Sequence, residues 1–104
     1  MASVRWALGA RQELGTLVVQ QGRYSSIYAA SFAGRVLAAA EQLERFPRSG
    51  RVVPDYRDEL VREVLVEGYR LVYLYEFDEV VVVGFLHGSQ DLVARLGDNP
   101  RDRR

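Results

Sequence analysis

Cysteine and lysine are both missing from this 104-residue sequence, and histidine occurs once, at His87. Without cysteine there can be no disulfide staple, no zinc–thiolate site and no thiol nucleophile, which fits a reducing compartment. A single histidine with no cysteine beside it offers no metal-ligand set at usable spacing, so neither metal nor cofactor is expected. Nowhere does the chain carry the ~20 apolar residues that span a bilayer. The segment Met1 to Trp6 also lacks the apolar stretch of a signal peptide. A soluble, cytoplasmic protein without membrane contact is therefore expected. Neither sign of charge prevails, with 14 basic and 14 acidic residues and a pI near 6.6. That balance disfavours broad, sequence-blind binding to nucleic acid, which draws on a clear basic excess. Every basic residue is arginine; GC-rich coding would produce this bias, and the planar guanidinium also suits individual carboxylate or phosphate partners.

What is present is enough for one domain with its own core, since 48% of the residues are hydrophobic and the length is that of a single domain. The domain is expected over residues 1–97, with a polar, disordered tail over 98–104. Val4 to Leu8 alternates weakly and predicts a short strand. Leu14, Leu17 and Val18 recur at helical spacing within Ala10 to Gln21, and Gly22 marks a helix end. Ser25 or Ser26 can cap a second helix, whose apolar residues Tyr28, Phe32, Val36, Ala39, Leu43 and Phe46 form one stripe ending at Pro47. A long connection follows, from Phe46 to Arg57. Three closely spaced strands are then predicted: Leu60 to Val66, Tyr69 to Phe77 and Val80 to Leu86. The breaks between them fall at Glu67-Gly68 and Asp78-Glu79. Tyr69, Leu71, Tyr73, Tyr75 and Phe77 share one face of the middle strand. The last strand is apolar enough to be central and buried on both sides. Links this short make an antiparallel meander, and Leu92 to Leu96 can add a helical turn. The order β-α-α-β-β-β gives an α+β fold, with two helices on one face of a mostly antiparallel sheet.

Three segments carry a resemblance in the same order. They are Leu43 to Asp55, where a helix ends in proline and Gly50-Arg51 follows; Val61-Arg62-Glu63 with Gly68-Tyr69-Arg70; and Phe85 to Leu92, with His87-Gly88. With the element order, they make the chain resemble the RelE/ParE toxin superfamily from Val4 to Leu92. The resemblance implies the toxin of a bacterial type II toxin–antitoxin pair, silenced by a cognate antitoxin in a hetero-oligomer. It implies one of two activities: ParE-like poisoning of DNA gyrase, without hydrolysis, or RelE-like cleavage of messenger RNA on the ribosome.

RNA cleavage by a 2′-hydroxyl needs a base, an acid and cations for the phosphate. Where RelE-like members carry a pair of lysines, this sequence has Val61 and Glu63, and no tyrosine follows Tyr75. The ParE-like reading is favoured on those grounds. A ribonuclease could still enlist Glu63, Arg70 and His87. Contacts to target or antitoxin are expected from Arg48, Arg51, Arg62, Tyr69, Arg70, His87 and Gln90. Each also has a plainer role: Arg70 pairing with Glu63 or Glu76 across strands, His87 bonding to its loop, the tyrosines packing a sheet face. Gln90 stands where the family often has arginine, which suggests a third possibility, a non-toxic member that only binds an antitoxin.

Overall fold

The computed structural model describes all 104 residues. The chain forms β1 (Ser3–Trp6), α1 (Leu8–Gly22), α2 (Ser26–Gln42), β2 (Arg51–Val52), β3 (Val61–Val66), β4 (Tyr69–Glu76), β5 (Glu79–His87) and α3 (Leu92–Leu96). The strands lie in the order β1-β5-β4-β3-β2. Only the β1–β5 pairing is parallel; the others are antiparallel. The fold is α+β with a helical hairpin on one sheet face, as the hydrophobic pattern predicts.

Ser25 is the cap of α2, its hydroxyl accepting from the Tyr28 N–H at 3.1 Å. Phe32, Val36, Ala40 and Leu43 from this helix side pack with Ala10 and Leu14 of α1 against Leu71, Tyr73, Val80, Val82 and Phe85. The helix is shorter than its apolar stripe suggests. After Gln42 the chain tightens into turns, with Leu43, Glu44 and Arg45 donating three residues back. Phe46 thus falls outside the helix and is 61% exposed.

The second core lies on the opposite face. Val72 and Leu74 of β4, with Val81, Val83 and Leu86 of β5, are covered there by Val53, Leu92 and Leu96. The C-terminal helix therefore folds over the face that the hairpin leaves free. Residues Val80 to Leu86 are all buried, as expected of a central strand. A register shift opposite Val72/Tyr73 adds one residue to β5, so Phe85 joins Val80 and Val82 on the helix side despite its odd number.

Two further expectations need correction. The second hairpin turns at Phe77-Asp78, not Asp78-Glu79, because Glu76 pairs with Glu79 and leaves a two-residue loop. Phe77 thereby leaves the tyrosine face for the turn. The tail over 98–104 is folded, not disordered. Asn99 caps a 3-10 turn at Pro100–Arg103, and Pro100 is buried. Arg101 pairs with Asp58, Arg103 with Glu13 at 2.9 Å, and Arg104 with Glu76. These carboxylates lie so far back in the chain that no local pattern announces the pairing.

The tail contact gives a pH prediction. The hydrogen bond from Arg101, helped by the Leu60 N–H and opposed by burial, holds the Asp58 carboxyl below its ordinary 3.8. A depressed folded-state value means stabilisation that is present above the unfolded value and lost as pH falls through the folded one. Unfolding by urea should therefore become easier below about pH 4. Asp58→Asn should be less stable than wild type at pH 7, with the gap closing at low pH. A gap that persists unchanged at acid pH would argue that the pair contributes nothing.

Candidate functional site

The alternation of β3 and β4 sends the candidate residues to two different faces. Glu63 points to the α3 side, where its side chain is 0% exposed. One carboxylate oxygen accepts from Arg70 Nε at 2.5 Å. The other accepts from Arg70 Nη2 at 3.1 Å and Arg51 Nε at 2.9 Å. Arg70 is itself only 12% exposed and reaches Asp55 at 3.5 Å. The fork of Arg70 on one carboxylate is the bidentate geometry that makes such pairs strong. The carboxylate in turn holds the Arg70 proton more tightly than usual. Arg51 lies at the rim, 64% exposed.

Arg62 points the other way and serves the 47–50 turn. Its guanidinium donates to the carbonyls of Gly50 at 2.9 Å and Arg48 at 3.4 Å. Tyr73 reaches the same turn from below, donating to the Pro47 carbonyl at 2.7 Å and accepting from the Gly50 N–H at 3.0 Å. Burial pushes its phenol above the ordinary value of 10.0, so the hydroxyl remains a donor. Arg48 stacks over Tyr75, 5.0 Å from the ring centroid. The turn thus presents Arg48 and Arg51 from a fixed backbone.

At the far end of β4 and β5, Tyr69 stacks on Phe85 at 5.2 Å, and His87 meets Tyr69 edge-on at 5.4 Å. The His87 Nδ1 lies 2.7 Å from Ser89 Oγ and 3.1 Å from the Ser89 N–H, so the ring is tied to its own loop. Beside it opens a cleft of about 760 Å³ between α1 and the end of β5. Here β1 has already ended, with its last hydrogen bond from Ala7 N–H to the Val82 carbonyl. Side chains occupy the edge it leaves. Glu13 accepts from the Phe85 N–H at 3.1 Å, Arg103 donates to the Val83 carbonyl at 2.8 Å, and Gln90 accepts from the His87 N–H at 3.0 Å. Covering an open strand edge in this way prevents unwanted pairing.

No local pattern marks Glu13 or Arg103 as site residues, because they meet β5 from 72 and 20 residues away. Gln90 also gains a role that an arginine could not fill: arginine has no acceptor for the His87 N–H. Most important, Glu63 and Arg70 lie on one sheet face, while His87 lies with Tyr69 on the other. The three residues a ribonuclease could enlist are not assembled. No group of His, Asp or Glu residues is placed to hold a metal ion.

Compared with known proteins, the sequence matches the family of the ParE toxin of type II toxin–antitoxin systems, parDE, over residues 4–92. That span is most of the chain. The chain belongs to the ParE toxin family. It is a toxin of the type II toxin–antitoxin class, and the ParE-like branch of the wider superfamily is the right one. Nine chains among the solved structures match. One, from the chromosomal ParDE toxin–antitoxin system of P. aeruginosa, has a TM-score of 0.70 at 14% identity, covering 84% of this chain and 96% of that one. At such identity the likeness is one of fold. No curated protein matches the sequence. No helix is long and apolar enough to cross a membrane.

Proposed function

We propose that this ParE-family toxin binds DNA gyrase and poisons it, cleaves no RNA itself, and is held inactive by a cognate antitoxin. One observation carries the choice. Both oxygens of Glu63 are taken up by Arg70 and Arg51, on the sheet face away from His87, so no general acid–base pair faces a common substrate position. Val61, where a lysine would be needed for phosphate chemistry, is fully buried. The antitoxin reading draws on the family and on the cleft beside His87, whose rim carries Arg95, Arg103 and Gln90.

The test is a gyrase supercoiling reaction with purified, antitoxin-free toxin. Linear, cleaved DNA should accumulate as toxin is added, and prior mixing with the antitoxin should abolish it. Intact supercoiling activity at a large excess of folded toxin, together with cut messenger RNA on ribosomes, would overturn the reading in favour of the nuclease.

A further inference from the structure

The two hairpins of the sheet use the same kind of tight turn with different residues. Both central positions have positive φ: 55° at Glu67 and 83° at Gly68 in one, 53° at Phe77 and 57° at Asp78 in the other. Such turns favour Asn, Asp and Gly, which tolerate the left-handed region. Gly68 and Asp78 suit their places. Glu67 and Phe77 do not; Glu67 is held by its pair with Arg35, whereas Phe77, an aromatic in this region, is a true outlier without such a partner. Burial does not offset the strain, because Phe77 is 91% exposed. Its ring therefore disfavours the isolated molecule twice, through its backbone and through its hydration. Outliers of this kind point to a role outside the folded chain.

The tip is also rigid. The Asp78 carbonyl accepts from the Ser3 N–H at 3.2 Å, which ties the turn to β1. Glu79 is paired with Arg5 at 3.2 Å and Glu76 with Arg104, so these two carboxylates are neutralised where they stand, while Asp78 accepts from the Tyr75 hydroxyl at 3.5 Å. An exposed aromatic ring on a tethered support, with ion-paired carboxylates on both strands below it, is the makeup of an interface anchor. A convex tip fits a socket on a folded partner; it does not fit an extended segment laid along a groove. It also stands at the opposite end of β5 from the cleft beside His87, about 27 Å away along the strand.

We propose that Phe77 is the anchor with which this toxin engages its target: the ring enters an apolar socket on the folded protein that the toxin arrests. The inference rests on the proposed function only in taking the target to be a protein, so its main readout is growth arrest, which does not presuppose gyrase. Phe77→Asn relaxes the turn and removes the ring; Phe77→Tyr keeps the ring. The asparagine variant should melt about 4–8 °C higher than wild type and still co-purify with the antitoxin. It should lose growth arrest on expression, and at least about tenfold in any gyrase cleavage, as truncation of an anchor does. The tyrosine variant should keep both activities. Wild-type arrest without gyrase cleavage would refute the gyrase reading alone. Full growth arrest by Phe77→Asn would overturn the anchor. So would loss of antitoxin binding, a dimer that Phe77→Asn dissolves, or a wild-type chain that arrests nothing, since each removes the target from the socket.

Discussion

Glu63→Ala should destabilise the fold by about 3–5 kcal/mol, the usual result of removing one partner from a buried ion pair. The reason lies in what remains. Arg70, with 12% of its side chain exposed, would be left with Asp55 at 3.5 Å as its one acidic partner, in place of the fork on Glu63. Domains of this size are stable by only about 5–15 kcal/mol, so the change would remove a large share of the total. Arg51→Ala should be much milder, within about 1 kcal/mol, because Arg51 is largely solvated. Replacing Glu63 and Arg70 together with apolar residues of similar size should recover much of the loss, since the desolvation of both charges is then avoided. Urea unfolding at neutral pH measures all three. A Glu63→Ala protein within about 0.5 kcal/mol of wild type, the range of an ordinary surface substitution, would contradict this account. The experiment also guards the functional reading: lost toxicity in this variant would report a lost fold, not a lost catalytic base.

The strands and helices were legible because each obeys its own period. The steps from Phe32 to Val36 and on to Leu43 placed α2 on the core, and the alternation of Tyr69 to Tyr75 placed β4. The antiparallel meander followed from links of two residues. What the pattern could not carry was contact between distant charges. Arg103 meets Glu13 across 90 residues, and Arg101 meets Asp58 across 43, so a polar segment with five charged side chains over 98–104 reads as a solvated tail. The turn at Phe77 was misplaced for a different reason. Asp78 and Glu79 are ordinary turn residues, whereas the structure puts an aromatic where turn chemistry argues against one. Among the site residues, the pairing of Arg70 with Glu63 is one of the two cross-strand alternatives that the sequence offers, but nothing in the pattern marks the pair as buried. Its burial depended on the long-range arrival of Arg51 from β2 and of Arg70 from β4 on the same carboxylate. His87 was placed at the end of an apolar strand. The extra residue in β5 then decides which face the end of the strand presents, and no side-chain pattern marked it.

Gly50→Ala should cost about 2–4 kcal/mol, combining overpacking with the hydrogen bonds it disturbs. A Cβ added there would lie 2.6 Å from Tyr73 Oη, 2.8 Å from Tyr73 Cε1 and 2.7 Å from the Glu63 carbonyl oxygen. Neither neighbour is free to give way. The carbonyl belongs to β3, paired on both sides by β2 and β4, and the phenol is held by the Pro47 carbonyl and the Gly50 N–H. The turn must therefore lift off the sheet, carrying Arg48 away from Tyr75 and the Gly50 carbonyl away from Arg62. The glycine is required by close approach alone, since its φ is not in the left-handed region. Tyr73→Phe in the Gly50→Ala background separates the terms. Removing the hydroxyl frees the nearest contact, so the double variant should be more stable than the sum of the two single losses allows. Strict additivity would mean that the carbonyl of Glu63 and the ring edge, not the Tyr73 hydroxyl, set the spacing. In either case the 47–51 turn is held by the sheet beneath it, and Arg48 and Arg51 reach solvent at positions fixed by a glycine and a buried tyrosine.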